Sequence, residues 1–221
     1  MGDDHGSATG TGRLVTCLAW AVLLFGLWLW GRGVTGVPHG AGSPATGDVL
    51  GLPAGQVRLP SAAAPLRPAT PQRLDVPGIG VQAPVVVRGL DAQGAVDPPP
   101  YTQPGVVGWY GAGAAPGARG VALLVGHVDT RTRPAVFYRL STLKAGARVR
   151  VVRADGRVAE FTVDDVRVLP REGFDARQAY GPREPGRAEL RLITCGGTFD
   201  RAGGSYTANV VVSAYLTGTG R

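Results

Sequence analysis

From residue 71 onward the chain never goes far without a short run of β-branched and aliphatic residues closed by a turn-forming residue, and this texture limits the fold more than any other feature. The runs are Arg73–Gly80, Ala83–Leu90, Gly120–Val128, Ala147–Leu169, Ala188–Cys195 and Tyr206–Leu216. Such runs, bounded by Gly, Pro or Asp, predict strands. The longest contains two alternating stretches around Ala154-Asp155-Gly156, a two-strand hairpin pattern. Helical periodicity is confined to short stretches near Ala135–Leu143 and Asp175–Tyr180. Many strands with little helix imply an all-β domain, either a barrel or a sandwich, over residues 71–221.

The first seventy residues read differently. Residues 1–13 are small and polar, a tail expected to lie in the cytoplasm. Leu14–Trp30 is an uncharged apolar run of seventeen residues, the lower limit for a helix that spans a bilayer core. Arg13 and Arg32 bracket it, and Trp28 and Trp30 stand where an aromatic belt would lie. No small-residue cleavage pattern follows, so an uncleaved transmembrane signal anchor is expected, single-pass, with the N-terminus inside and the domain outside the cell membrane. Residues 31–70 are rich in Gly, Pro and Ala and show no periodicity. They read as a disordered linker that holds the domain off the membrane.

Composition narrows the function classes. The net charge is +7, with a single lysine, Lys144, among 23 basic residues. No basic helix, zinc spacing or aromatic-basic interleaving accompanies that charge, so no nucleic-acid partner is expected. A basic surface facing anionic lipid or wall polymer is the simpler account. Asp164-Asp165 is an isolated acidic pair; no metal site, calcium dependence or cofactor is expected.

Chemistry concentrates on two residues. Cys17 lies inside the apolar run, which leaves Cys195 alone in the domain. It cannot form a disulfide within that domain. On burial statistics alone, an inert buried core thiol is the commoner reading. Its context favours a reactive one: it ends the run Glu189–Cys195, and Gly196 and Gly197 follow, where a loop would begin and a substrate backbone could come close. His5 and His39 fall in the tail and linker, so the domain has one histidine, His127, after the run Val121–Val125 and Gly126. A thiol and an imidazole at the ends of two buried strands form a nucleophile and its proton partner. Asp129 could orient the imidazole or simply cap the turn. Backbone N–H groups near Gly196, or the side chain of Arg201, could stabilise an oxyanion.

At these positions the sequence resembles the sortases. Arg191-Leu192-Ile193-Thr194-Cys195 is similar to the T-L-x-T-C signature of that family, with Arg191 in place of the first Thr. Gly126-His127 resembles the segment holding the family's histidine. Gly126–Thr130, Cys195–Asp200 and Tyr206 with Asn209–Val212 look like the actinobacterial class F (class E/F) pattern. The resemblance implies an eight-stranded sortase β-barrel. It implies a cysteine transpeptidase that cleaves an LPXTG-like sorting signal between Thr and Gly through a Cys195 thioester. A peptidoglycan precursor or other amine acceptor of the cell wall then receives the surface protein. Cys195, His127 and Arg201 are the expected catalytic residues; Gly196, Thr194 and Asp129 are expected to contact substrate. One departure stands out. Where sortases carry an arginine, Ser205–Asn209 has none. Arg201 is the candidate in its place, with Arg139 and Arg191 as alternatives. The same departure keeps open a second possibility, a catalytically impaired, membrane-anchored binding module. No serine-histidine-glycine-cysteine block stands near Cys195, which argues against an L,D-transpeptidase.

Overall fold

Alternation gives each strand one apolar face, and a closed barrel is the arrangement that buries all those faces while leaving no unpaired edge. The computed structural model describes residues 58–92 and 94–220. Its strands are β1 (Pro71–Val76), β2 (Val81–Arg88), β3 (Val107–Tyr110), β4 (Gly120–Val125), β5 (Arg148–Arg153), β6 (Val158–Pro170), β7 (Ala188–Asp200) and β8 (Ser205–Gly220). They close in the order β1-β2-β3-β4-β7-β8-β6-β5. Of the two arrangements open to the sequence, it is thus the barrel, with eight strands. Neighbours are antiparallel except β2 with β3 and β4 with β7. Parallel pairs cannot be joined by a tight turn, and both long connections involved carry residues of the candidate site.

The interior is filled by alternate positions such as Leu74, Leu124, Val151, Phe161, Leu190, Leu192, Val212 and Leu216. The β5–β6 hairpin turns at Ala154–Arg157, as its sequence predicts. The two short helical stretches also form: a 3-10 turn, Leu140–Thr142, and a helix α1, Ala176–Tyr180. Asp175 caps α1, its Oδ1 accepting the N–H groups of Arg177 and Gln178, which supplies partners for donors that a helix start leaves free.

The tail 1–13, the anchor 14–30 and most of the linker lie outside the described residues. Among the described residues no helix is long and apolar enough to cross a membrane. The last part of the expected linker requires a correction. Residues 58–70 lie along the barrel: Ala63 N–H donates to Leu216 O, Leu66 N–H to Gly117 O, and Tyr215 Oη to Pro60 O. Arg153 explains why this Pro-rich strap is held. Its fully buried side chain donates from Nη1 to Pro116 O at 2.6 Å and from Nη2 to Arg67 O at 2.5 Å, and it pairs with Asp155. Absence of periodicity in a sequence excludes helix and strand, but not a coil fixed by a cation from the barrel.

Replacing Arg153 with Met should therefore destabilise the barrel by about 3 kcal/mol, because the Pro116 carbonyl, in a buried bond, and the part-buried Arg67 carbonyl lose a charged donor. Urea unfolding would measure it, and proteolysis within 58–70 should accelerate.

Candidate active site

The site begins with the β4/β7 pair. Its parallel register runs from Gly120 opposite Ala188 to Val125 opposite Ile193. Val125 and Ile193 do not point into the barrel. With Val211 and Ala179 they form a second, outer cluster, against which Leu123, Leu169, Phe174 and Tyr180 pack. Side chains alternate along a strand, so Cys195, two residues past Ile193, shares this outer face. His127 is two residues past Val125, and neighbouring strands lie about 4.8 Å apart. The register thus brings the two residues to adjacent strand ends on one side of the barrel.

Cys195 does not end its strand, contrary to the sequence expectation. β7 continues to Asp200, paired with β8 through Cys195–Asn209 and Gly196–Ala208. What ends is β4, at Val125, so Cys195 lies where β7 loses one neighbour. The thiol is free and half-buried. Gly196 is buried, and a Cβ on it would lie 2.6 Å from Val210 Cγ2. Gly197 has φ +77°, a backbone state few residues other than glycine adopt, and it sits in the irregular step between Gly196 and Phe199. The glycines thus let β7 bend past the thiol while staying paired.

His127 is only 8% exposed. Its backbone carbonyl accepts the Phe137 N–H, and Gly126 makes the turn possible, since a Cβ there would meet Val136 and Phe137 at 2.7 and 2.8 Å. The ring is held by the β2–β3 connection. Nε2 lies 2.6 Å from Pro99 O, and Tyr101 stacks on the imidazole with centroids 4.1 Å apart. A carbonyl oxygen only accepts, so Nε2 is the donor of this bond and Nδ1 is the ring nitrogen left without it. The connection is itself fixed at its base, where Arg88 pairs with Asp97 and Asp97 N–H donates to Gly89 O. The three prolines that follow restrict the backbone.

Of the two roles open to Asp129, no bond to the imidazole is seen among the described residues; its carboxylate accepts a hydrogen bond from Tyr206 Oη. That bond pushes the Tyr206 phenol up to about 12. Thr194 also differs from expectation. Alternation that turns Cys195 outward turns Thr194 inward, where it is 4% exposed and Oγ1 has no hydrogen-bond partner among the described residues. Its side chain cannot contact substrate. Arg201 sits exposed in the β7–β8 turn. The ladder continues from Cys195–Asn209 to Asp200–Ser205, which carries Arg201 about 13 Å of strand beyond the thiol. The alternatives fare no better. Arg191 is buried, bonded to Glu189 Oε2 at 2.6 Å and to Gly181 O at 2.7 Å. Arg139 lines a separate 670 Å³ cavity with Ile79, Ala83 and Tyr138.

Burial pushes the Cys195 thiol above its ordinary value; the Arg171 charge opposes this, and the Asp129 carboxylate adds to it. Tyr180 is raised by its burial and by a charge on Cys195. The thiol therefore feels the charges of Arg171 and Asp129, and Tyr180 and Tyr206 lie near enough to feel its own. Sequence reasoning missed Pro99, Tyr101, Arg171, Tyr180 and Tyr206 as neighbours of the site. Tyr206 stood in the family-like pattern without a role assigned, and the others have no local signal beyond lying in a loop or at a strand end. Among the described residues no group of three or more His, Cys, Asp or Glu is placed to hold a metal.

The sequence over residues 74–217 matches the sortase domain. The chain belongs to the sortase family. Its barrel is similar to that of a lid mutant of sortase A from Corynebacterium diphtheriae, with a TM-score of 0.51 at 18% identity over 69% of this chain and 73% of that one. Sortase C-1 from Actinomyces oris gives 0.49 at 23% identity, covering 66% and 72%. Sortase C-1 from Streptococcus pneumoniae gives 0.49 at 21%, covering 66% and 65%. At such identities the likeness is one of fold. No curated protein sequence matches the chain.

Neutralising Asp129 as Asn should lower the pH midpoint of Cys195 alkylation, because a negative charge that disfavours the thiolate is removed. Iodoacetamide rates read at Cys195 by mass spectrometry would show it; an unmoved midpoint would mean the carboxylate does not act on the sulfur.

Proposed function

We propose that this sortase is an active, membrane-anchored cysteine transpeptidase of the class E/F type, acting on an LPXTG-like sorting signal outside the cell membrane. The observation that carries the proposal is the β4/β7 register, which ends at Val125 opposite Ile193, each two residues short of His127 and Cys195 respectively. The apolar run Leu14–Trp30 and the tether after it support the topology.

The chemistry follows from the groups present. His127 takes the proton of the Cys195 thiol, and the thiolate attacks the carbonyl carbon of the signal's Thr as the carbonyl electron pair moves to oxygen. As the tetrahedral adduct collapses, the C–N bond breaks and His127 gives its proton to the departing Gly amine. This leaves a thioester and a neutral imidazole. An amine acceptor, taken here to be a peptidoglycan precursor or another cell-wall amine, then attacks the thioester. Its proton passes to His127, the C–S bond breaks and the thiolate is restored. The wall of Leu169, Phe174 and Tyr180 beside Cys195 offers an apolar surface for the signal's Leu and Pro. The client proteins are surface proteins that bear such a signal.

The competing possibility is a binding module that has lost turnover, favoured only by the lack of arginine in Ser205–Asn209. Incubating the full chain with an LPXTG-type peptide and hydroxylamine separates the two. The transpeptidase forms a peptide hydroxamate, and Cys195→Ala and His127→Ala each abolish it while melting near the wild-type temperature. Near-normal turnover in either variant would sink the assignment, and a wild type without product would leave the binding module. Turnover should also persist unchanged in excess chelator.

A further inference from the structure

The positive charge that serves Cys195 does not come from β8 or from Arg201. We propose that Arg171, the first residue after β6, is the catalytic arginine: its guanidinium reaches across β8 to the Cys195 sulfur and to the oxyanion formed there. This rests on the transpeptidase reading above and names a member of the same site.

Register and alternation support the placement. In the row that contains Cys195, Asn209 of β8 pairs with Cys195 on one side and with Leu169 of β6 on the other. Leu169 belongs to the outer cluster that also contains Ile193. Arg171 is two residues beyond Leu169 and keeps its parity, so it emerges on the face of the thiol. Two strand spacings, about 10 Å, separate the β6 and β7 backbones, a gap that a long arginine side chain can bridge. It points the right way. Arg171 N–H donates to Thr207 O at 2.9 Å, and Nη1 turns toward β8 to donate to Tyr206 O at 3.4 Å. The guanidinium therefore lies over the strand that borders Cys195, beside residue 207, where the chain has Thr instead of a cation. Consistent with that position, Arg171 is the one cation whose field lowers the Cys195 thiol.

The neighbouring groups leave this role open to no other arginine described above. Arg191 is sealed against Glu189, Arg139 faces the separate cavity, and Arg201 rides on the hairpin turn. Near the thiol from the other elements are Asp129 after β4, Tyr180 on α1 and Tyr206 on β8. None of them is a permanent cation. Arg171 also opens the β6–β7 connection, which carries Phe174, α1 and Tyr180 over the outer cluster. Charge and groove wall thus belong to one segment.

Two measurements on the full chain test the proposal in wild type, Arg171→Ala, Arg171→Lys and Arg201→Ala. The first is kcat and KM for hydroxylamine-dependent peptide cleavage. The second is the pH profile of iodoacetamide alkylation at Cys195 without peptide, which needs no turnover. Arg171 is exposed, so its replacement leaves the barrel folded, and Lys keeps the charge. Arg171→Ala should lower kcat about 10²-fold, the scale for losing one oxyanion donor, with KM within about threefold of wild type. Its alkylation midpoint should rise, and Arg171→Lys should restore much of both. An unmoved midpoint, a kcat within threefold of wild type, or a hundredfold loss in Arg201→Ala would each overturn the assignment. If the wild type cleaves nothing, the transpeptidase reading falls by itself; the midpoint shift still decides whether Arg171 acts on the sulfur.

Discussion

Everything at the site depends on the parallel pairing of β4 with β7. The pair places Val125 opposite Ile193 and then stops on the β4 side only. An antiparallel pair would carry the two strand ends to opposite rims of the barrel. A parallel pair brings both to the same rim, which is why two residues 68 positions apart in the chain can share one opening. β4 ends at Val125 while β7 runs on to Asp200, so beyond Ile193 β7 keeps only its β8 neighbour. Gly126 permits the turn that follows β4, because Val136 and Phe137 occupy the space a side chain would need.

Around this opening, buried charge fastens irregular chain to regular strand. Arg153 leaves β5 to hold the strap 58–70, and Glu189 with Arg191 leaves β7 to hold the residues after α1. Burial alone would raise the Glu189 carboxyl, but the Glu184 N–H, Arg191 and the Arg183 N–H bring it below its ordinary value. Arg191, pushed down by its own burial, is partly compensated by Glu189. Ion pairs so deeply buried contribute little net stability, but losing one partner is costly, so they fix where the loops attach. The loop fastened by Glu189 is the one that continues back to Tyr180 and the outer cluster. Positioning the groove wall is thus a task of β7 outside its own ladder.

The resting electrostatics favour a neutral thiol. Burial and Asp129 both act against the thiolate, and Arg171 alone opposes them. His127 is held by Pro99 O through one nitrogen and covered by Tyr101 on one face, which leaves the other nitrogen without that bond. Tyr206 occupies the Asp129 carboxylate, which takes that charge out of competition for the imidazole.

Much of this was legible in the residues alone. Strand runs and turn residues implied an all-β domain, the helical stretch ending at Tyr180 was visible, and the lone Cys and His of the domain stood out because each followed an apolar run. These are local properties, set by side-chain periodicity and backbone preference within a few residues. The closure of the barrel, the inward turn of Thr194, the capture of Asp129 by Tyr206, the ordered strap and the passage of Arg171 over β8 were not legible. Each depends on register between segments far apart in the chain. One step of register decides which face a side chain takes and which distant charge it meets, and that is fixed only when the strands pack.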